Sequence, residues 1–329
     1  MSGADLARRG RAAVLGTAMA GAVGALTPVW WAHDRAARAV TARRTGGVVG
    51  IERAPLRSAS LDELVGRRAP VVVTGFVDEL GLGGVADRAG LVERVGDRTA
   101  TVTLHDAAMP YFLYSGGYGS RPVERRSETV ASLLDLVFDG GLDEGAVVYQ
   151  LLGAASLGGG TQRVLDEVDA AISARCSVPT ETRFSGVWIG SPGVVTPLHH
   201  DAWPGILVQT EGRKRVAMYG PLDRPNLAFR SPLHGAGRWS RLPGRSADAD
   251  PAEFPRLAHA TRHEVVLEAG EALVIPPYWS HEMEAVTANI SIPFRFRGRW
   301  RNWANPGFLR PATELLRKQA ATAVRSAPR

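Results

Sequence analysis

His199 and Asp201 stand two residues apart at the head of the stretch Thr196-Pro-Leu-His-His-Asp-Ala-Trp-Pro-Gly-Ile-Leu-Val-Gln-Thr-Glu-Gly-Arg-Lys-Arg-Val-Ala-Met-Tyr-Gly-Pro221. On an extended strand, residues i and i+2 project from the same face. An imidazole and a carboxylate then enter one cavity, a start on a metal site. A lone His-x-Asp is more often a plain polar pair, so the weight falls on its surroundings. Ile206 to Val208, a glycine turn at Gly212 and Val216 to Tyr219 read as a hairpin that pairs the Lys214 strand with the His-x-Asp strand. Val265-Val-Leu-Glu-Ala-Gly-Glu-Ala-Leu-Val-Ile-Pro-Pro reads as strand, tight turn and strand, and leads to His281. Two hairpins carrying His-x-Asp and a distal His can make a small β-barrel into a mononuclear metal site. Two imidazoles and one carboxylate on one face of an octahedral ion leave three positions open, which suits non-haem Fe(II).

The rest of the chain alternates strand and helix patterns. Ser58-Ala-Ser-Leu-Asp-Glu-Leu has the form of a capped helix start, and Ala69-Pro-Val-Val-Val-Thr-Gly-Phe that of a buried strand. Helix and loop are expected over 81–98, a strand over Thr99 to His105 and a helix over Thr129 to Phe138. Ala146-Val-Val-Tyr-Gln-Leu-Leu reads as a strand with Tyr149 and Leu151 on one face, and 165–175 as an amphipathic helix. The aromatic, glycine-rich run from Tyr111 to Ser120 fits a loop over a site. Residues 223–261 form a long, largely irregular insert, a length that tends to be functional or mobile. Its histidines, His234 and His259, read as surface or packing residues, as do His105 and His263. His200, between the two ligand candidates, faces the other way.

The two ends differ from the middle. Residues 12–32 carry no charge, and Trp30 and Trp31 would suit an interface. The run is mostly Ala and Gly and is broken by Pro28, so three readings stay open for the 1–48 segment: a membrane anchor or peripheral helix, a soluble helix, or a cleaved signal. Residues 301–329 are expected to form a helical tail from Pro311, a candidate for homodimerisation. Arginine clusters at both ends account for much of the net charge of +6 and suggest contact with phospholipid or nucleic acid. The basic aromatic run Phe294 to Trp303 fits RNA contact or a barrel edge with solvent-facing arginines. A single cysteine, Cys176, excludes an intramolecular disulfide framework and fits a reducing, cytoplasmic location.

Four ordered motifs carry a resemblance. Trp188-Ile-Gly-Ser-Pro-Gly-Val-Val-Thr-Pro-Leu-His-His-Asp, Glu211-Gly-Arg-Lys-Arg-Val, Ser246-Ala-Asp-Ala-Asp-Pro and Ala269-Gly-Glu-Ala-Leu-Val-Ile-Pro-Pro-Tyr-Trp-Ser-His resemble the cupin-like JmjC hydroxylases. Within that family the pattern is similar to the asparaginyl hydroxylase that inhibits the hypoxia-inducible factor. The resemblance implies a mainly β fold with flanking helices, a double-stranded β-helix (cupin or jelly-roll) barrel over 49–300. It implies Fe(II) held by His199, Asp201 and His281, with 2-oxoglutarate as cosubstrate and dioxygen as oxidant. Lys214, with Thr196 and Tyr149, would bind the far carboxylate of 2-oxoglutarate. The expected activity is hydroxylation of a protein side chain or small molecule, with the oxoacid decarboxylated to succinate. A tRNA-modifying hydroxylase and a non-catalytic metal-binding cupin are the alternatives. Gly205 and Pro293 replace two asparagines near the iron of the asparaginyl hydroxylase, which puts that enzyme's substrate in doubt here. Trp203 and Trp279 are candidates for lining the cavity or for the core.

Overall fold

The computed structural model describes residues 28, 31–32, 34–108, 122–153, 155–180, 185–230 and 237–297. The strands run in chain order as β1 (Val48–Gly50), β2 (Glu52–Pro55), β3 (Val71–Thr74), β4 (Thr99–Asp106) and β5 (Pro122–Thr129). Next come β6 (Ala146–Gly153), β7 (Gly186–Gly190), β8 (Val195–His200), β9 (Gly205–Glu211) and β10 (Lys214–Tyr219). The last are β11 (Arg262–Leu267), β12 (Ala272–Ile275), β13 (Ser280–Ala285) and β14 (Asn289–Arg295). They form a five-stranded sheet ordered β1-β11-β10-β13-β8 and a nine-stranded sheet ordered β2-β3-β12-β9-β14-β7-β6-β4-β5. From β8 to β14 the chain crosses between the sheets at every step except β10 to β11, which pair antiparallel across the insert, as in a jelly roll.

Two apolar layers hold this arrangement. Val72, Leu207, Leu273 and Ile275 of the large sheet meet Val216, Met218, Val265 and Leu267 of the small one. The outer face of the large sheet, with Val71, Val73, Ile206, Val208, Ile290, Ile292 and Phe294, packs on the helices. These are Leu61–Val65, Phe76–Glu79, Arg88–Val95, Val130–Phe138 and Gly160–Ser173. Ser60 caps the first as expected: its hydroxyl accepts from Glu63 N, and the Glu63 carboxylate accepts from Ser60 N. The last begins five residues earlier than its apolar spacing suggests, after left-handed Gly159.

The expected hairpins are absent. β9 and β10 lie in different sheets, as do β11 and β12, so Gly212 and Gly270 carry the chain across the barrel. Nor does β10 pair with the His-x-Asp strand: β13 lies between them. Hydrophobic alternation shows that a strand has a buried face, not which sheet it joins. At Gly212 (φ 70°) a Cβ would lie 1.9 Å from the Ala288 carbonyl oxygen. Gly212→Ala is therefore expected to cost about 2–4 kcal/mol, read as a lower denaturant midpoint at unchanged slope.

The insert is irregular but packed, with short 3₁₀ turns at Pro221–Asn226, Ser246–Asp248 and Pro255–His259. Leu227, Leu242, Ala249 and Phe254 bury against Leu198 and Tyr219 on the outer face of the small sheet. Residues 34–47 dock on it: Gly46 N donates to Ala258 O (2.7 Å), and His259 Nδ1 to Arg44 O (2.8 Å). Among the described residues no helix is long and apolar enough to cross a membrane. Most of the uncharged run 12–32, the Tyr111–Ser120 loop, His234, the residues beyond 297 and the tail from Pro311 lie outside the described residues.

Candidate metal centre

β8 and β13 pair antiparallel, with His199 directly opposite His281. Their rings lie 4.3 Å apart between centroids at 60°. Asp201 follows β8, and its carbonyl oxygen accepts from Tyr278 N (2.8 Å). Tyr278 is left-handed (φ 66°), so the Pro276-Pro277 turn clamps the ligand strand at local cost. One ligand atom each from His199, Asp201 and His281 falls within 4.8 Å of the others. Sequence spacing and a distal motif do converge on one site.

Backbone carbonyls fix the histidine tautomers. His199 Nδ1 lies 2.9 Å from Pro197 O, and His281 Nδ1 3.0 Å from Trp279 O. A carbonyl can only accept, so each Nδ1 carries the proton and each Nε2 keeps its lone pair. Burial pushes both imidazoles below their ordinary range, and for His199 the neighbouring His281 adds to this. Burial alone would raise the Asp201 carboxyl, but Arg295, the two histidines and Arg238 hold it well below the carboxylate range. Two neutral imidazoles and an ionised carboxylate match a divalent first-row metal.

Asp201 has partners that sequence reasoning missed. Arg238 Nη1 donates to Oδ1 (3.2 Å) and Arg295 Nη2 to Oδ2. Each carboxylate oxygen has two acceptor sites, so one on each stays available to an ion. Arg238 arrives because the insert lies along β8: His200 N donates to Arg238 O (3.2 Å), and Ser240 N to Leu198 O (2.9 Å). This covers the edge strand and stacks Trp239 on His199 at 4.4 Å. Arg295 corrects the picture of a barrel edge with solvent-facing arginines, since it turns into the barrel. The signal was the alternation of β14: Ile290, Ile292 and Phe294 face the helices, so Asn289, Ser291 and Arg295 face inward.

Deeper in the barrel, Thr196 Oγ1 donates to the Tyr149 hydroxyl (3.1 Å), and Lys214 Nζ sits 5.9 Å from the Tyr149 ring centroid. Thr196 precedes His199 by three residues, so strict alternation would separate them. A bulge prevents this: His281 to Met283 on β13 spans His199 to Thr196 on β8. Lys214 is one of two lysines in the chain, with Lys318. It is buried and bonds Ser291 Oγ (2.6 Å), another residue that the motifs did not single out. Burial pushes its ammonium down to about 7.

The other candidates are structural. His200 packs edge-on against Phe229 (5.4 Å), and His263 against Trp279 (5.1 Å). Trp279 joins the inter-sheet core, with Nε1 donating to Arg68 O (2.8 Å). Trp203, two residues after Asp201, is 37% exposed.

Residues 57–301 match the sequence profile of the cupin-like domain. Among curated proteins, the Jumonji C domain-containing protein 5 of Drosophila melanogaster is 28% identical over 130 residues, 38% of this chain and 32% of its own length. The lysine-specific demethylase JMJ30 of Arabidopsis thaliana is 32% identical over 114 residues, 35% of this chain and 26% of its own length. The human HSPB1-associated protein 1 is 36% identical over 104 residues, 31% of this chain and 21% of its own length. The chain thus matches a third or less of each of these relatives. Since the profile covers most of the chain, and its relatives include Jumonji C proteins, this protein belongs to the cupin-like, JmjC-type family.

Proposed function

We propose that this protein is an Fe(II)- and 2-oxoglutarate-dependent dioxygenase that hydroxylates a protein side chain or a small molecule. The observation that carries the reading is the buried ammonium of Lys214 in the same barrel as the triad. Among the described residues no carboxylate pairs with it; its partner is the Ser291 hydroxyl. A buried cation without a counter-ion is costly unless a ligand supplies one. Met218 pairs with His281, and Lys214 lies four residues along β10, so roughly 13 Å separates the two rows. A lysine stem covers about half of this, leaving a span that suits a five-carbon diacid chelated at the triad.

Each side chain then has a task. His199 and His281 present Nε2 to the ion, and the Pro197 and Trp279 carbonyls hold their rings in place. Lys214, with the Thr196–Tyr149 hydroxyl pair, takes the distal carboxylate by charge-assisted hydrogen bonds. Trp239 shields one face of His199. Iron held there with 2-oxoglutarate and dioxygen would supply an oxidant for a C–H bond, the oxoacid losing carbon dioxide and taking one oxygen atom to become succinate. Two relatives are named as Jumonji C or demethylase proteins, and removal of a methyl group by hydroxylating it falls within the same chemistry.

Anaerobic titration of the protein with Fe(II) and then 2-oxoglutarate tests the reading. A weak visible metal-to-ligand absorption band is expected for wild type and none for His199→Ala. Iron binding without any band after the oxoacid is added would leave a metal-binding cupin of another chemistry.

A further inference from the structure

The triad holds one carboxylate but two guanidinium groups. Arg238 comes from the insert and Arg295 from β14, and both bond Asp201. Arg295 takes Oδ2, the oxygen that also faces His281 Nε2 at 3.7 Å. It stands where an ion shared by Asp201 and His281 would feel its charge. Its place depends on Gly205, its pairing partner on β9: a Cβ there would lie 2.5 Å from Arg295 Nη1 and 3.1 Å from the Phe294 carbonyl oxygen. That Nη1 is buried with no hydrogen-bond partner among the described residues. An unpaired guanidinium donor beside a metal site calls for an acceptor from outside the chain.

We propose that Arg295, seated on Gly205, is a positioning residue that couples retention of the divalent ion to arrival of the anionic cosubstrate, an inference that rests on the 2-oxoglutarate reading above. The two arginines outweigh Asp201 by one positive charge, so a dication alone enters an unfavourable field. The carboxylate that chelates the ion offsets this surplus and offers Nη1 an oxygen. Arg238 keeps its bond to Asp201 Oδ1 when Arg295 is lost, and Tyr278 N keeps the Asp201 backbone. Removing Arg295 therefore subtracts repulsion while ligand orientation is retained.

The test is equilibrium Mn(II) binding, followed by the electron paramagnetic resonance of the free ion, with and without 2-oxoglutarate. In wild type the oxoacid is expected to tighten Mn(II) binding by about tenfold or more. Arg295→Met is expected to bind Mn(II) alone about tenfold more tightly and to gain less from the oxoacid. Gly205→Ala, which displaces the guanidinium and keeps its charge in the chain, should shift in the same direction. A purely structural arginine gives the opposite result, because its loss does not raise metal affinity. Mn(II) binding that is unchanged or weaker in Arg295→Met overturns the proposal even where 2-oxoglutarate still binds. If the oxoacid leaves Mn(II) affinity unchanged in wild type and variant alike, both the coupling and the cosubstrate reading fall.

Discussion

Asp201→Ala is expected to abolish metal binding and also to destabilise the protein without metal. Loss of a group one shell beyond a metal typically costs about 10–100-fold in affinity, so loss of the triad's carboxylate should cost about 10³-fold or more. The second effect comes from what Asp201 holds. Arg295 reaches it with a side chain only 17% exposed, and Arg238 joins from the insert. Removing one partner of a buried ion pair leaves the other charged and desolvated, at a cost of about 3 kcal/mol. For a domain of this size that corresponds to a fall of roughly 6–12 °C in Tm. Arg238 is 35% exposed, twice as much as Arg295, and can turn to water, so most of the loss belongs to Arg295. Adding Arg295→Met to Asp201→Ala is thus expected to recover much of the lost Tm but none of the metal affinity. Equal Tm values for the single and double variants would show that the pair contributes nothing to stability.

The ligands were legible because they obey local rules. Period two puts His199 and Asp201 on one face, a spacing that brings them together even though Asp201 lies one residue past the end of β8. The apolar run before His281 marks a buried strand ending in a turn. What lay beyond those rules was hidden. Thr196 reaches the face of His199 only through a bulge set by pairing with β13, and pairing partners are not written in one strand's own sequence. The hairpin reading failed for a related reason: a glycine turn between two apolar strands is equally compatible with a turn within a sheet and a crossing between sheets. Arg238 and Trp239 sit in an insert whose irregular composition gave no period to read, and the edge of β8 orders them. Arg295 differs, since its inward direction follows from Ile290, Ile292 and Phe294. The arginine-rich composition of the segment obscured it. Arginine is the default cation of this chain, so the buried Lys214 is a departure that composition alone could have flagged.

Lys214 also sets function against stability. Its ammonium falls from 10.5 to about 7 through burial. Between those values the unfolded chain binds a proton that the folded protein does not, so stability rises with pH from about 7 to about 10.5. Below about 7 both states are protonated, and the full penalty is present. Lys214→Met, of similar length and uncharged, is expected to remove this slope. It should be more stable than wild type at pH 6, by on the order of 3 kcal/mol. Each tenfold loss of proton affinity is worth about 1.4 kcal/mol, and the Ser291 hydrogen bond offsets part of the total. The same variant should lose 2-oxoglutarate binding by about 100-fold or more, since a carboxylate would then be buried against a thioether. In wild type the incoming carboxylate favours the ammonium, so binding at pH 8.5 should take up a proton. Calorimetry in buffers of different ionisation enthalpy measures that uptake directly. Denaturant titrations of both proteins at pH 6 and pH 9 supply the stability half. A Lys214→Met protein that is less stable at pH 6, or that binds the oxoacid as wild type does, would mean that the ammonium is held for packing and not for an anion.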